Sequence, residues 1–228
     1  MKELGLIFDF DGVIVDSERM HHEAFIEVLR PIGVDVVSDE RWTRYIGLDD
    51  RTGLARMLEE GEKQVSAEEF GRLLDAKFAL MRQWGREGRV AAVPGAVELI
   101  QQASASMPLA VCSASYRQDI ATTLERLGVA ERFTAIVGRD DVKHSKPDPE
   151  GYALAAVRIA RPPERCVAIE DSVPGVRAAK GAGLKAIGLT STGASEDALR
   201  AAGADAVIET LLGLGTGAIV TMAGRRDM

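Results

Sequence analysis

The sequence has 228 residues, of which 46% are hydrophobic and 28% are charged, an ordinary balance for a folded globular protein. A net charge of −7 argues against binding to nucleic acid, which requires clusters of Lys and Arg at the phosphate backbone. The apolar run at residues 4–8 is too short for a signal peptide, and no stretch reaches the roughly 18 apolar residues of a membrane span. We therefore expect a cytoplasmic protein, most simply a monomer, with neither a nucleic-acid nor a membrane partner.

Short apolar runs alternate along the chain with helical patterns, which is typical of a parallel sheet built from βα units. The runs are apolar on both faces, as expected for strands that helices cover on each side. Strands are predicted at residues 4–8, 109–112, 135–137, 166–169, 185–189 and 206–208. Helices are predicted in the same part of the chain at residues 96–103, 118–127, 151–159, 176–181 and 196–202.

The interval between the first two strands breaks this alternation. It contains helical patterns only, at residues 18–29, 39–46, 51–60 and 67–84. A helical block inserted after the first strand of such a sheet indicates a separate small domain. We therefore predict an α/β core at residues 1–15 and 92–215, a helical domain at residues 16–91, and a flexible terminal tail at residues 216–228.

Two acids, Asp9 and Asp11, follow the first predicted strand. Residues two apart in an extended chain share a face, so the two carboxylates point the same way. In open parallel sheets, ligands bind beyond the carboxyl ends of the strands. One of the acids could instead cap a helix or stabilise a turn, and the pair alone leaves both interpretations open.

A second pair of acids, Glu170 and Asp171, follows the strand predicted at residues 166–169. Asp9 and Asp171, with a backbone carbonyl, would supply the hard oxygen ligands that Mg²⁺ prefers. Glu170 could bind the ion as well, or accept hydrogen bonds behind it. The two pairs together predict a magnesium site at this edge of the sheet.

Two further segments add groups that could bind phosphate. Ser113 and Ala114 open a Ser-Ala-Ser segment that places a hydroxyl and backbone N–H groups at the end of another predicted strand. Lys146 lies in a Ser-Lys-Pro-Asp-Pro segment, whose prolines fix the backbone on its far side. Lys146 could be an ordinary loop cation, but the rigid surroundings favour a lysine directed at a ligand.

Taken together, these segments resemble the signature of the haloacid dehalogenase superfamily, in particular its capped β-phosphoglucomutase-like phosphatases. The first is Asp-Phe-Asp-Gly-Val-Ile-Val-Asp-Ser at residues 9–17, and the last is Ile-Glu-Asp-Ser-Val-Pro-Gly-Val at residues 169–176. Ser113 and Lys146 stand between them. The four elements occur in the order of the family and span the chain from about residue 6 to 190.

The resemblance implies a Rossmann-like α/β core, of the haloacid dehalogenase-like fold, with an inserted helical cap domain. It implies that Asp9 is the nucleophile and Asp11 the general acid/base. By the same resemblance, Mg²⁺ is the cofactor and is held by Asp9, the Asp11 carbonyl and Asp171, with Glu170 close by. The transferring phosphoryl group would be bound by Ser113, Ala114 and Lys146.

Two residues of the helical domain, His21 and Arg51, are candidate substrate contacts. His21 aligns with a histidine that gates water attack in the mutase relatives, and Arg51 lies near the segment that contacts substrate in relatives. Each could equally be a solvated residue on a helix face.

We therefore expect a Mg²⁺-dependent phosphatase that hydrolyses a small phosphorylated metabolite, such as a sugar phosphate, through an aspartyl-phosphate intermediate. The alternative is a mutase of the β-phosphoglucomutase kind, because the Ser-Ala-Ser segment matches those enzymes. Tyr116 and Arg117 stand where the mutases carry Lys and Asn, which favours the hydrolase. A second alternative, an inactive binding or regulatory module on this fold, is disfavoured because none of the signature residues is missing.

Overall fold

A computed structural model describes residues 4–35, 42, 44, 45, 48, 50–191 and 194–224. It divides the chain into two compact units. Met1–Asp16 and Ala91–Met228 form the first, which we call the core unit, and Ser17–Val90 form the second, the helical unit. The core unit is discontinuous in sequence because the helical unit is inserted between Asp16 and Ala91.

The core unit is built around a parallel sheet. In chain order its strands are β1 (Gly5–Phe8), β2 (Val15–Asp16), β3 (Ala91–Ala92), β4 (Leu109–Cys112), β5 (Ala135–Val137), β6 (Cys166–Glu170), β7 (Lys185–Leu189) and β8 (Ala206–Ile208). The short strands β2 and β3 pair with each other in antiparallel fashion. The other six form one parallel sheet in the order β5-β4-β1-β6-β7-β8. The predicted α/β class with a Rossmann-like parallel core is therefore confirmed.

Strand β1 occupies a central position in this sheet and is buried on both faces. Phe8, its last residue, has no accessible surface and is aligned with Val111 of β4 and Ile169 of β6. The carboxyl ends of the three strands therefore lie side by side. Asp9, the next residue after β1, emerges between the ends of its two neighbours.

In the described part of the chain, all α-helices but the last begin and end within three residues of a predicted helix. In the helical unit they include α1 (Glu18–Leu29), α2 (Asp50–Glu60) and α3 (Ala67–Glu87). In the core unit they are α4 (Ala96–Ser104), α5 (Arg117–Arg126), α6 (Glu150–Arg158), α7 (Val173–Gly181), α8 (Glu196–Ala201) and α9 (Thr216–Gly224). Helix α7 begins three residues before its predicted start, because the Ser172 side chain caps it by accepting a hydrogen bond from Gly175 N.

The helical unit has its own apolar core. Phe25, Leu29, Leu54 and Met57 are buried in one cluster, to which Trp42 also belongs. The helix predicted at residues 39–46 lies largely outside the described residues. None of the helices in the described part of the chain is long and apolar enough to cross a membrane.

The prediction of a flexible tail is wrong for nine of its thirteen residues, since Thr216–Gly224 form helix α9. Ile219 of this helix has no accessible surface, and α9 packs near α4 and β7. The physical reason is the apolar run that follows the glycine-rich segment, which gains more by burial than the chain loses in conformational freedom. Residues 225–228 of the predicted tail lie outside the described residues.

The packing of α9 gives a stability prediction. Ile219→Ala should lower the free energy of unfolding, measured by urea denaturation, by about 2–5 kcal/mol, because it leaves a cavity in the core unit. Thr221→Ala, an exposed change on the same helix, is the control and should alter it by less than about 0.5 kcal/mol. Equal stabilities for the two variants would show that α9 does not contribute to the fold.

Candidate active site

The carboxylate of Asp9 is held in a defined orientation at the end of β1. Its Oδ1 accepts a hydrogen bond from the backbone N–H of Phe10 at 2.7 Å. The same oxygen forms an ion pair with Lys146 Nζ, also at 2.7 Å. Among the described residues, none donates a hydrogen bond to its second oxygen, Oδ2. The side chain thus has one anchored oxygen and one oxygen available to a reacting group.

Lys146 is shared between two carboxylates. Its Nζ lies 2.7 Å from Asp9 Oδ1 and 2.6 Å from Glu170 Oε1. Burial alone would lower the pKa of this ammonium, but the charges of Asp9 and Glu170 outweigh it and raise the pKa. Lys146 is therefore a permanent cation at the site.

Glu170, the last residue of β6, is fully buried and fully hydrogen-bonded. Its Oε1 accepts from Lys146 Nζ and from the hydroxyl of Tyr152 at 2.7 Å. Its Oε2 accepts from the Ser172 hydroxyl at 2.9 Å and from Ser172 N at 3.3 Å. A carboxylate with this many donors is held fixed in place.

Asp11 and the Ser-Ala-Ser segment are joined by hydrogen bonds. The Ser115 hydroxyl donates to Asp11 Oδ2 at 2.8 Å, and Ser115 N donates to Ser113 Oγ at 2.9 Å. Because Ser113 Oγ already accepts a bond from Ser115 N, its own O–H can donate to a ligand. Ala114 follows Ser113 and is exposed.

The acids at the strand ends suit a divalent cation. One carboxylate oxygen from each of Asp9, Glu170 and Asp171 lies within 4.8 Å of the other two. Burial and then the charge of Glu170 raise the pKa of Asp9 to about 8, despite the ammonium of Lys146. Burial and the charges of Asp9 and Glu170 raise the pKa of Asp171 well above its usual value. One lysine does not compensate these three acids, two of them buried and one half-buried, so a hard cation with oxygen ligands fits this site.

Six of the residues predicted from sequence thus belong to one site in the core unit. They are Asp9, Asp11, Ser113, Lys146, Glu170 and Asp171. Sequence reasoning missed three hydrogen-bond partners of these residues, which are Tyr152, Ser172 and Ser115. Ser172 directly follows Asp171, and Ser115 directly follows Ala114. The signal for Ser172 was its position before Pro174, where a cap is expected.

His21 and Arg51 lie in the helical unit, where their predicted substrate contacts stay predictions. His21 Nδ1 lies 2.8 Å from Lys77 Nζ and 3.3 Å from Asp50 Oδ1. Burial opposes ionisation of Asp50, but the His21 hydrogen bond and the Lys77 charge lower its pKa to about 2. The guanidinium of Arg51 lies over the ring of Phe70, 5.3 Å from its centroid. His21 is therefore not a freely solvated residue on a helix face.

The haloacid dehalogenase-like hydrolase family matches residues 6–189, and the chain belongs to this family. The chain is 34% identical over 207 residues to the phosphorylated carbohydrates phosphatase of Thermotoga maritima, covering 90% of this chain and 93% of that protein. Several solved structures are similar in fold. One is CbbY from Rhodobacter sphaeroides in complex with phosphate, with a TM-score of 0.74, 32% identity, and coverage of 94% of this chain and 97% of that chain.

Another similar structure is β-phosphoglucomutase from Clostridium difficile, with a TM-score of 0.76, 26% identity, and coverage of 98% of this chain and 97% of that chain. The predicted branch, the β-phosphoglucomutase-like phosphatases of the superfamily, is confirmed by these relatives. The family and the relatives identify the chain as a phosphoric monoester hydrolase.

The raised pKa of Asp9 gives a prediction for the metal-free protein. The folded state keeps this proton up to about pH 8, whereas the unfolded chain loses it near the ordinary pKa of 3.8. The stabilisation by the bound proton is therefore complete at low pH and is lost as the pH rises towards 8. We predict that the free energy of unfolding in EDTA falls between about pH 5 and 8, with Asp9 contributing up to about 1.4 kcal/mol per pH unit.

The variant Asp9→Asn should remove the share of this slope that Asp9 contributes, because it cannot exchange the proton, and Asp171, whose pKa is also raised, should contribute the remainder. Asp197→Asn, an exposed carboxylate on α8, is the matched control and should keep the slope of the natural sequence. Denaturation curves across the pH range measure both. An unchanged slope in Asp9→Asn would mean that Asp9 does not hold the proton.

Proposed function

We propose that this chain is a Mg²⁺-dependent phosphatase that releases inorganic phosphate from a small phosphorylated metabolite, of the sugar-phosphate kind, through an aspartyl-phosphate on Asp9. The observation that carries the proposal is the state of Asp9. One oxygen is anchored by Lys146 and the Phe10 N–H, and the other is left for attack at the open end of the sheet. The name of the Thermotoga maritima relative supports a phosphorylated carbohydrate as the substrate class.

Asp9, Asp171 and the backbone carbonyl of Asp11 would hold the Mg²⁺. Glu170 would lie behind them, because both of its oxygens already accept hydrogen bonds from Lys146, Tyr152 and Ser172. When bound, the ion would offset the negative charge of the phosphoryl oxygens, which otherwise repel a carboxylate nucleophile.

The residues of the chain then account for two displacements. In the first, an oxygen of Asp9 forms a bond to phosphorus, the ester P–O bond breaks, and Asp11 gives its proton to the departing oxygen. Lys146 and the Ser113 hydroxyl would hold the phosphoryl oxygens, together with the backbone N–H of Ala114. The alcohol leaves, and Asp9 carries the phosphoryl group.

In the second displacement, water attacks the phosphorus while Asp11 takes its proton. The bond between Asp9 and phosphorus breaks, and inorganic phosphate leaves with Asp9 restored. The Ser115 hydroxyl, 2.8 Å from Asp11 Oδ2, fixes the direction of this carboxyl group in the core unit. Asp11 thus works as an acid in the first displacement and as a base in the second.

The two roles of Asp11 can be separated with p-nitrophenyl phosphate, whose leaving group needs no proton. With Mg²⁺, Asp11→Asn should give a burst of about one equivalent of nitrophenolate per enzyme and then turn over at least about a hundredfold more slowly than the natural sequence. Asp9→Asn should give neither a burst nor turnover, because it has no nucleophile. Rapid-mixing absorbance measures both phases.

Steady turnover by Asp11→Asn at the rate of the natural sequence would refute the role of Asp11, and turnover by Asp9→Asn would refute the nucleophile. The exposed Asp197→Asn variant is the control and should behave as the natural sequence does. Phosphate release from a panel of sugar phosphates, run beside an isomerisation assay on β-glucose 1-phosphate, separates the hydrolase from the mutase. Isomerisation without phosphate release would favour the mutase.

A further inference from the structure

Tyr152, on the first turn of α6, has no accessible surface. A buried phenol is costly unless its hydroxyl finds a partner. The partner here is a carboxylate: Tyr152 Oη donates to Glu170 Oε1 at 2.7 Å. A hydrogen bond to a charged acceptor is worth more than one between neutral groups, so this contact fixes both side chains.

The contact continues to the nucleophile through Lys146. The oxygen that accepts the Tyr152 hydroxyl, Glu170 Oε1, also accepts Lys146 Nζ at 2.6 Å. The same ammonium lies 2.7 Å from Asp9 Oδ1. Four side chains therefore form one chain of short contacts, with Tyr152 at one end and Asp9 at the other.

Tyr152 also borders Lys146 directly. The Nζ of Lys146 lies 5.3 Å from the centroid of the Tyr152 ring, a distance typical of a cation–π contact. The neighbouring Gly151 explains how the ring reaches this position. A Cβ at Gly151 would lie 2.9 Å from the sulfur of Cys112, so the first turn of α6 packs directly against the end of β4.

We propose that Tyr152 is a positioning residue of the reaction: its hydroxyl fixes Glu170, and the fixed Glu170 keeps the ammonium of Lys146 directed at Asp9. This inference rests on the proposed phosphatase function. Without the hydroxyl, Glu170 Oε1 keeps Lys146 as its remaining donor among the described residues. The carboxylate then draws the ammonium towards itself, away from Asp9 and from the phosphoryl oxygens that develop charge in the transition state.

Tyr152→Phe tests the proposal, because it removes the hydroxyl and leaves the packed ring. With p-nitrophenyl phosphate and Mg²⁺, kcat should fall between about tenfold and a hundredfold, while KM changes by less than about twofold. The inhibition constant of vanadate, which resembles the transition state, should rise in parallel with the loss of kcat. Tyr45→Phe, the same change at a buried tyrosine of the helical unit, is the control and should leave all three values unchanged.

A crystal structure of Tyr152→Phe supplies a readout that does not depend on activity. The distance from Lys146 Nζ to Asp9 Oδ1 should exceed the 2.7 Å of the natural sequence. An unchanged distance overturns the proposal even if the natural sequence proves to have no phosphatase activity. A lower melting temperature with unchanged kcat and vanadate inhibition also overturns it, because it would assign Tyr152 to packing alone.

Discussion

Two buried carboxyl groups, those of Asp9 and Glu170, share the ammonium of Lys146 at the carboxyl edge of the sheet, and the half-buried carboxyl group of Asp171 lies close to both. Burial of an ionised carboxylate costs several kcal/mol unless a cation or hydrogen bonds compensate it. Glu170 receives that compensation from its donors, whereas Asp9 has one anchored oxygen and a pKa raised to about 8. The site therefore either keeps a proton or takes up a cation. The chemistry we propose depends on the second of these two states.

These acids can lie close to the neighbouring backbone because two positions beside them are glycines. A Cβ at Gly12 would collide with Oδ2 of Asp171, and a Cβ at Gly175 would collide with the carboxyl group of Glu170. Gly12 also has a φ of +76°, a left-handed conformation that favours glycine. Gly12 lies in the turn between β1 and β2, and Gly175 lies in the first turn of α7. The acids are thus held by packed backbone before any ligand arrives, which is the arrangement that electrostatic catalysis requires.

The sheet and its acids could be predicted from sequence because the period of a strand and the common edge of parallel strands are fixed by geometry. The role of Tyr152 could not be predicted in this way. In the sequence Tyr152 is one apolar position among others on an amphipathic helix, and only the fold brings its hydroxyl to Glu170. Lys77 reads as a solvated cation on α3 for the same reason, although it is buried beside Asp50, which lies 27 residues earlier. The helix at the predicted tail was missed because flanking glycines obscured a short apolar run. Contacts between residues distant in sequence leave no local signal.

The proton held by the acids offers the most direct test of their role. Calorimetric titration of the metal-free protein with Mg²⁺ at about pH 7, repeated in buffers of different ionisation enthalpy, measures the protons released on binding. We predict binding of one ion with release of about one to two protons, because the ion competes with the protons on Asp9 and Asp171 for the same carboxylates. Asp171→Asn should weaken the binding and reduce the release. Magnesium binding with no proton released, or binding unchanged in Asp171→Asn, would contradict the claim that these buried carboxylates form the metal site.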